Sequence, residues 1–107
     1  MIEYGGWTYI IASKRNGTLY TGVTSNLYDR VLAHRDGVGS KFTRRYGVTM
    51  LVWYEWHDGI EAAIQRETSI KRWPRKWKLA LIEKDNPRWQ DLLDKLVEMP
   101  PLPDWAK

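Results

Sequence analysis

The sequence has no cysteine and only two histidines, His34 and His57, in 107 residues. Without cysteine there can be no disulfide, thiolate metal site or cysteine nucleophile, and the lack fits a reducing compartment. So few imidazoles argue against zinc, so that any catalytic metal would have to be a hard, oxygen-bound cation such as magnesium or manganese (Mg2+ or Mn2+). No apolar run approaches the roughly 20 residues needed to span a bilayer. The opening MIEYGGW lacks the basic and apolar regions of a signal peptide. A soluble, cytoplasmic protein is therefore expected. There is also no internal repeat and no low-complexity segment. The length suits one domain, placed at 1–95, followed over 96–107 by a tail holding three of the five prolines. Phenylalanine is nearly missing, one residue against seven Trp and six Tyr. Tyr and Trp join an apolar body to a polar tip, which suits packing and equally suits stacking on bases.

What is present is unevenly placed. The formal net charge is +4, and five positive charges fall in the acid-free stretch KRWPRKWK, so the rest of the chain sums to −1. Lys71, Arg72, Arg75, Lys76 and Lys78 thus form a local patch, suited either to neutralising phosphates or to lining a solvated helix face. Trp73 and Trp77 interleave with it. They suit contact with unstacked bases, or, on the face that Trp77 shares with Ala80 and Leu81, packing into a core.

Residues 7–24, WTYIIASKRNGTLYTGVT, are two apolar runs hinged on Asn16-Gly17. Asn-Gly between alternating runs signals a β-hairpin with a two-residue type I′ turn, because both central residues must adopt positive φ. That turn predicts Arg15 opposite Thr18, Ser13 opposite Tyr20, and Tyr9 opposite Thr24. Side chains alternate with period two, so Tyr9, Ser13, Tyr20 and Gly22 share one face, while Ile10, Ala12, Leu19 and Val23 form the other. The second face reads as core, and the tyrosine face as a surface for something else. Gly22 predicts a notch beside the two phenols that admits a substrate.

A helix is predicted over TSNLYDRVLAHRDG, capped by Ser25 or Asn26 and ended by Gly37. Leu27, Tyr28, Val31 and Leu32 make its apolar stripe, with Arg30 and His34 four residues apart at its edge. The Gly-rich, basic GVGSKFTRRYG reads as a partly irregular connection. VTMLVWYEW reads as a buried strand, and His57-Asp58-Gly59 as a turn. The next helix, Ile60 to Arg72, carries Ile60, Ala63, Ile64 and Ile70 on one stripe with Glu67 in its middle. A carboxylate there needs a cation, a donor or a metal. Lys71, four residues on, could equally make it an ordinary surface pair. Pro74 ends this helix and serves as the first residue of another reaching about Lys84, and Asn86-Pro87 turns the chain into a short final helix.

Two tyrosines on a hairpin, an Arg-x-x-x-His helix and a lone Glu on a later helix resemble the GIY-YIG nuclease family. The likeness is greatest to its small single-domain bacterial members, similar to the N-terminal nuclease domain of the DNA-repair subunit that makes the excision incision. WTY and YTG stand at the two family triplets, and TSNLYDRVLAH and AAIQRETSIKRW resemble its helices, over about Gly6 to Leu92. Trp7 and Thr8 replace a glycine and an isoleucine of the first triplet, and Val23 stands where excision-repair members carry lysine. An asparagine found in some members falls here near Lys78-Leu79. The resemblance implies an α/β (α+β) domain with a small central three-stranded sheet, beginning with a β-hairpin and flanked by helices in the order β-β-α-β-α-α.

It also implies a divalent-metal-dependent endonuclease hydrolysing DNA. Tyr9 and Tyr20 would be the active-site phenols, with Tyr20 often cast as the base. Arg30 would hold the scissile phosphate, His34 would assist proton transfer or position a phenol, and Glu67 would bind the metal. The chemistry is coherent, because a phosphodiester transition state spreads negative charge that a guanidinium and a metal stabilise. A phenol, with an ordinary pKa near 10, needs a neighbouring cation to act as a base at neutral pH. The alternative is a non-catalytic module that keeps the fold to bind nucleic acid.

Overall fold

The computed structural model describes residues 5–98. Three strands, β1 (Gly6–Ala12), β2 (Leu19–Thr24) and β3 (Met50–His57), form one antiparallel sheet in the order β2-β1-β3. Thr8, Tyr9, Ile10, Ile11 and Ala12 are fully buried on the central strand. Helices α1 (Leu27–Arg35), α2 (Lys41–Tyr46), α3 (Ile60–Arg72), α4 (Arg75–Asp85) and α5 (Leu93–Glu98) complete the described fold. The Pro-rich end expected beyond α5 lies outside the described residues. Among those described, no helix is long and apolar enough to cross a membrane.

The hairpin forms, but its register differs from the expected one. Tyr9 pairs with Gly22 and Ile11 with Tyr20, not Tyr9 with Thr24 or Ser13 with Tyr20. The loop has four residues, Lys14 to Gly17. Ser13 N–H donates to the Thr18 carbonyl (3.0 Å), Gly17 N–H to the Lys14 carbonyl (2.9 Å), and Thr18 N–H to Ser13 Oγ (3.0 Å). Asn16 alone of the Asn-Gly pair has positive φ, 58°, so the turn is not type I′. Arg75 donates to the Asn16 and Gly17 carbonyls, both at 2.7 Å, and so stabilises the wider loop from α4. A slip of two residues preserves facing, and Tyr9 and Tyr20 still share a face.

Both faces of the sheet are core. Tyr9, Ile11 and Leu51 pack with Leu27 and Val31 of α1 and Leu93 of α5; Ile10, Ala12, Val52 and Trp53 pack with Ile70 of α3 and Ile82 of α4. The tyrosine face is therefore not the free surface its polarity suggested. An irregularity opposite Ile10/Ile11 inserts one residue into β3. This bulge explains how neighbours Val52 and Trp53 join one core while Leu51 and Tyr54 join the other.

Local signals account for the helix bounds. Asn26 caps α1, its side chain accepting from Asp29 N–H (3.2 Å), and Gly37 follows the helix at φ 78°. The connection expected to be irregular contains α2, capped by Ser40, whose Oγ accepts from Thr43 N–H (3.1 Å), and stopped by Gly47 at φ 63°. On α3 the buried residues are Ala63 and Ile70, whereas Ile64 is 44% exposed and leaves the expected stripe. Pro74 is the N-cap of α4, one residue before the helix it was expected to begin. Asn86 donates to the Val52 carbonyl (3.1 Å) and Leu92 N–H to the Leu51 carbonyl (2.7 Å), covering part of the outer edge of β3. His57 ends β3 instead of opening a turn, with Nε2 3.1 Å from the Glu55 carboxylate.

Candidate active site

Tyr9 stands mid-strand on β1, its ring completely buried. Gly22 lies opposite on β2, and a Cβ there would fall 2.4 Å from the Tyr9 hydroxyl and 2.5 Å from Cζ. The notch expected to admit substrate is thus filled by the protein's own phenol. Glycine is needed at position 22 because no side chain fits beneath that ring.

The Tyr9 hydroxyl lies 2.9 Å from Nε2 of His34, which is 1% exposed; Nδ1 lies 3.0 Å from Oγ1 of the fully buried Thr43. The network around Thr43 assigns the tautomer. Thr43 Oγ1 donates to the Ser40 carbonyl (3.2 Å) and receives the Ser40 hydroxyl proton (2.9 Å). It therefore accepts from His34 Nδ1–H, leaving Nε2 as an acceptor for the Tyr9 O–H. Burial and then the charge of Arg30 push the His34 pKa down to about 4, so the ring is neutral at neutral pH. Gly39 permits this packing, since a Cβ there would lie 2.3 Å from Nδ1.

Burial raises the Tyr9 pKa to about 12, against an opposing effect of hydrogen bonding from Arg30. Tyr9 is accordingly a protonated donor at neutral pH. Arg30 lies against both phenols, and its own pKa is raised, foremost by hydrogen bonding with Tyr9. Its Nε is buried and has no hydrogen-bond partner among the described residues. Tyr20 is only half-buried, with its ring 6.4 Å from that of Tyr9 and 5.4 Å from the His34 ring. Tyr20 is thus the phenol that solvent can reach.

Glu67 enters from α3. Its side chain is 17% exposed, Lys71 Nζ lies 3.6 Å from its carboxylate, and its charge is felt at Tyr9. Lys71 Nζ also stands 5.9 Å from the Tyr20 ring centre, so the i,i+4 ion pair that was one of the two readings of Glu67 borders the phenols. Among the described residues no group of three or more His, Asp or Glu gathers to hold an ion. A single recessed carboxylate, only loosely matched by Lys71, nevertheless fits a magnesium-like cation. Such an ion keeps several waters and takes further oxygens from a phosphate.

The fold thus brings together Tyr9, Tyr20, Arg30, His34 and Glu67. The basic patch is less uniform than the sequence suggested. Lys71 joins the phenols, Arg75 is committed to the hairpin loop, and Lys78 Nζ donates to the Lys71 carbonyl at 3.5 Å. Arg72 and Lys76 are exposed. Trp73 packs against the core, but Trp77 is 53% exposed and is not a core residue. Sequence reasoning missed Ser40 and Thr43. Their signal was the Ser40…Gly47 bracket, an N-cap residue and a C-terminal glycine seven positions apart.

A three-stranded antiparallel sheet with helices on both faces thus carries phenols, a guanidinium and a recessed carboxylate at one place. The GIY-YIG catalytic domain matches residues 5–80, and the chain belongs to this nuclease family. It is 42% identical over 76 residues to a UPF0213 protein of Clostridium perfringens, covering 71% of this chain and 81% of that one. A UPF0213 protein of Staphylococcus haemolyticus is 38% identical over 77 residues, 72% of this chain and 93% of its own. The solution NMR structure of a UPF0213 protein from Bacillus halodurans superimposes with a TM-score of 0.51 at 28% identity, covering 81% of this chain and 92% of the other.

Proposed function

We propose that this chain is a divalent-metal-dependent DNA endonuclease that hydrolyses phosphodiester bonds and selects its substrate by structure or by single-strandedness. The observation that carries the reading is the position of Arg30. It lies against both phenols and is itself only half-buried, so its guanidinium can present donors to a phosphodiester oxygen.

Arg30 binds the scissile phosphate and offsets the negative charge that grows on its oxygens as water attacks phosphorus. Tyr20, the accessible phenol, positions that water and relays its proton, giving its own O–H proton to solvent as it accepts one, while the P–O bond to the leaving strand breaks and the leaving oxygen is protonated from solvent. Tyr9 remains protonated and keeps its O–H on His34, which locks the ring in one orientation behind the reacting groups. Glu67 would hold the metal ion, which supplies Lewis-acid stabilisation of the phosphate oxygens when bound. Lys71, and more remotely Arg72 and Lys76, add to the attraction for the polyanion.

Incubating the protein with single-stranded, branched and duplex DNA in magnesium or manganese tests the reading. Cleavage is expected, with Glu67→Ala abolishing it while circular dichroism remains native. Undiminished activity in that variant would remove the metal-binding role. Salt-sensitive DNA binding without cleavage under either metal would instead establish the non-catalytic module.

A further inference from the structure

The phenols of the candidate site do not end at the site. Tyr20 lies 6.1 Å from Phe42 and Phe42 lies 4.9 Å from Tyr46, ring centre to ring centre, so a line of aromatic rings runs from buried Tyr9 onto the outer face of α2. Phe42, the single phenylalanine of the chain, and Tyr46 stand four residues apart on that helix, 43% and 48% exposed. Four-residue spacing places them side by side on one helical face. Lys41, Arg44 and Arg45 are exposed between and beside them, α2 contains no acidic residue, and Arg45 lies 5.5 Å over the Tyr46 ring.

Apolar rings left half in water beside three cations fit a ligand that is aromatic and anionic at once. A nucleic-acid strand has that chemistry. A base within a duplex is stacked on its neighbours and presents only its edges in the grooves, whereas an unpaired base offers a whole face to an aromatic side chain. We infer that α2 is a strand-binding platform, on which Phe42 and Tyr46 stack unpaired bases next to the cleaved bond while Lys41, Arg44 and Arg45 hold the adjoining phosphates. This assigns the substrate class as DNA with unpaired nucleotides at the cut; it rests on the nuclease reading for the place of the scissile phosphate. The Trp73–Trp77 pair, of which only Trp77 is exposed, is a weaker platform. Its contacts lead through Arg66 to Trp53 and Glu55 on β3, away from the phenols.

Fluorescence anisotropy with a labelled oligothymidine and with a duplex of equal length, both in EDTA so that nothing is cut, tests the platform. Phe42→Ala and Tyr46→Ala are each expected to weaken single-strand binding about tenfold, with duplex affinity changed by less than about twofold. Phe42→Trp retains binding. Abasic sites in the oligonucleotide reduce wild-type affinity to that of the double alanine variant. The platform is overturned if the double alanine variant, shown folded by circular dichroism, holds the single strand within about twofold of wild type. It is equally overturned if affinity for strand and duplex falls alike, or if the wild type binds no DNA. A parallel cleavage assay keeps the two readings apart. Wild-type cleavage with unchanged binding by the alanine variants defeats the platform alone, whereas stacking without cleavage defeats the nuclease reading alone.

Discussion

Replacing Thr43 by valine keeps the shape of the side chain and removes one hydroxyl. That hydroxyl contacts His34 Nδ1 at 3.0 Å, Ser40 Oγ at 2.9 Å and the Ser40 carbonyl at 3.2 Å, in a position with no exposure. Valine leaves His34 Nδ1–H in a dry site without an acceptor, and an unsatisfied buried donor costs about 1–3 kcal/mol. In a domain of this size each kcal/mol lowers Tm by about 4–8 °C, so a fall of about 8–16 °C is expected at the middle of that range. The loss reaches the site as well. With no acceptor at Nδ1, the imidazole gains by moving its proton to Nε2, which then faces the Tyr9 hydroxyl as a second donor. Thr43→Ser, which keeps the hydroxyl and gives up a methyl group, is expected to retain the tautomer and most of the activity. Urea denaturation, cleavage rates and nitrogen-15 shifts of the imidazole measure the three consequences. A Thr43→Val protein with native stability and a native Nδ1–H signal would refute the assignment, and so would a serine variant more damaged than the valine one.

Two other outcomes follow from the packing behind the phenols. Gly22→Ala places a methyl group 2.4 Å from the hydroxyl of a ring that cannot retreat. Overpacking of about 1–3 kcal/mol is expected, together with loss of cleavage, and an alanine variant with wild-type melting and activity would contradict the close fit. The His34 ring titrates near 4 in the native state, depressed by burial and by Arg30, against about 6.5 when unfolded. Between those values the unfolded chain binds the extra proton. Stability is therefore fully present above about pH 6.5, falls by up to a few kcal/mol toward pH 4, and then loses no more from this group. Urea midpoints that stay flat from pH 7 to 4, or an imidazole titrating above pH 6 by NMR, would contradict a neutral buried ring.

Much of the fold was legible because its signals are local. Asn26 and Gly37 bound α1 as their side-chain and backbone chemistry requires, and Ile60 to Arg72 is a helix as its periodicity predicts. Period two placed Tyr9 and Tyr20 on one face, and that held through a two-residue shift in register. The shift itself was not legible. It depends on Ser13 closing the loop and on Arg75, 58 and 59 positions along the chain, bonding to the Gly17 and Asn16 carbonyls. Likewise α2 has only six residues, too few to show a period, so its Ser40 and Gly47 caps were its readable marks. Glu67 stood out as a charge amid apolar neighbours, yet Ile64 in the same stripe proved exposed because the packed face of α3 turns toward Ala63 and Ile70.

The sequence by itself determined the strands, the chief helices and the set of residue types able to hold a phosphate and a metal, since each depends on near neighbours and on side-chain chemistry. Tertiary structure decided what these groups do to one another. Covering the tyrosine face with α1 buried Tyr9, raised its pKa to about 12 and left the half-buried Tyr20 as the accessible phenol. Folding α2 against His34 chose the imidazole tautomer and carried Phe42 to Tyr20. Burial, tautomer and ring contact are properties of surroundings assembled from distant segments, and no local spacing encodes them.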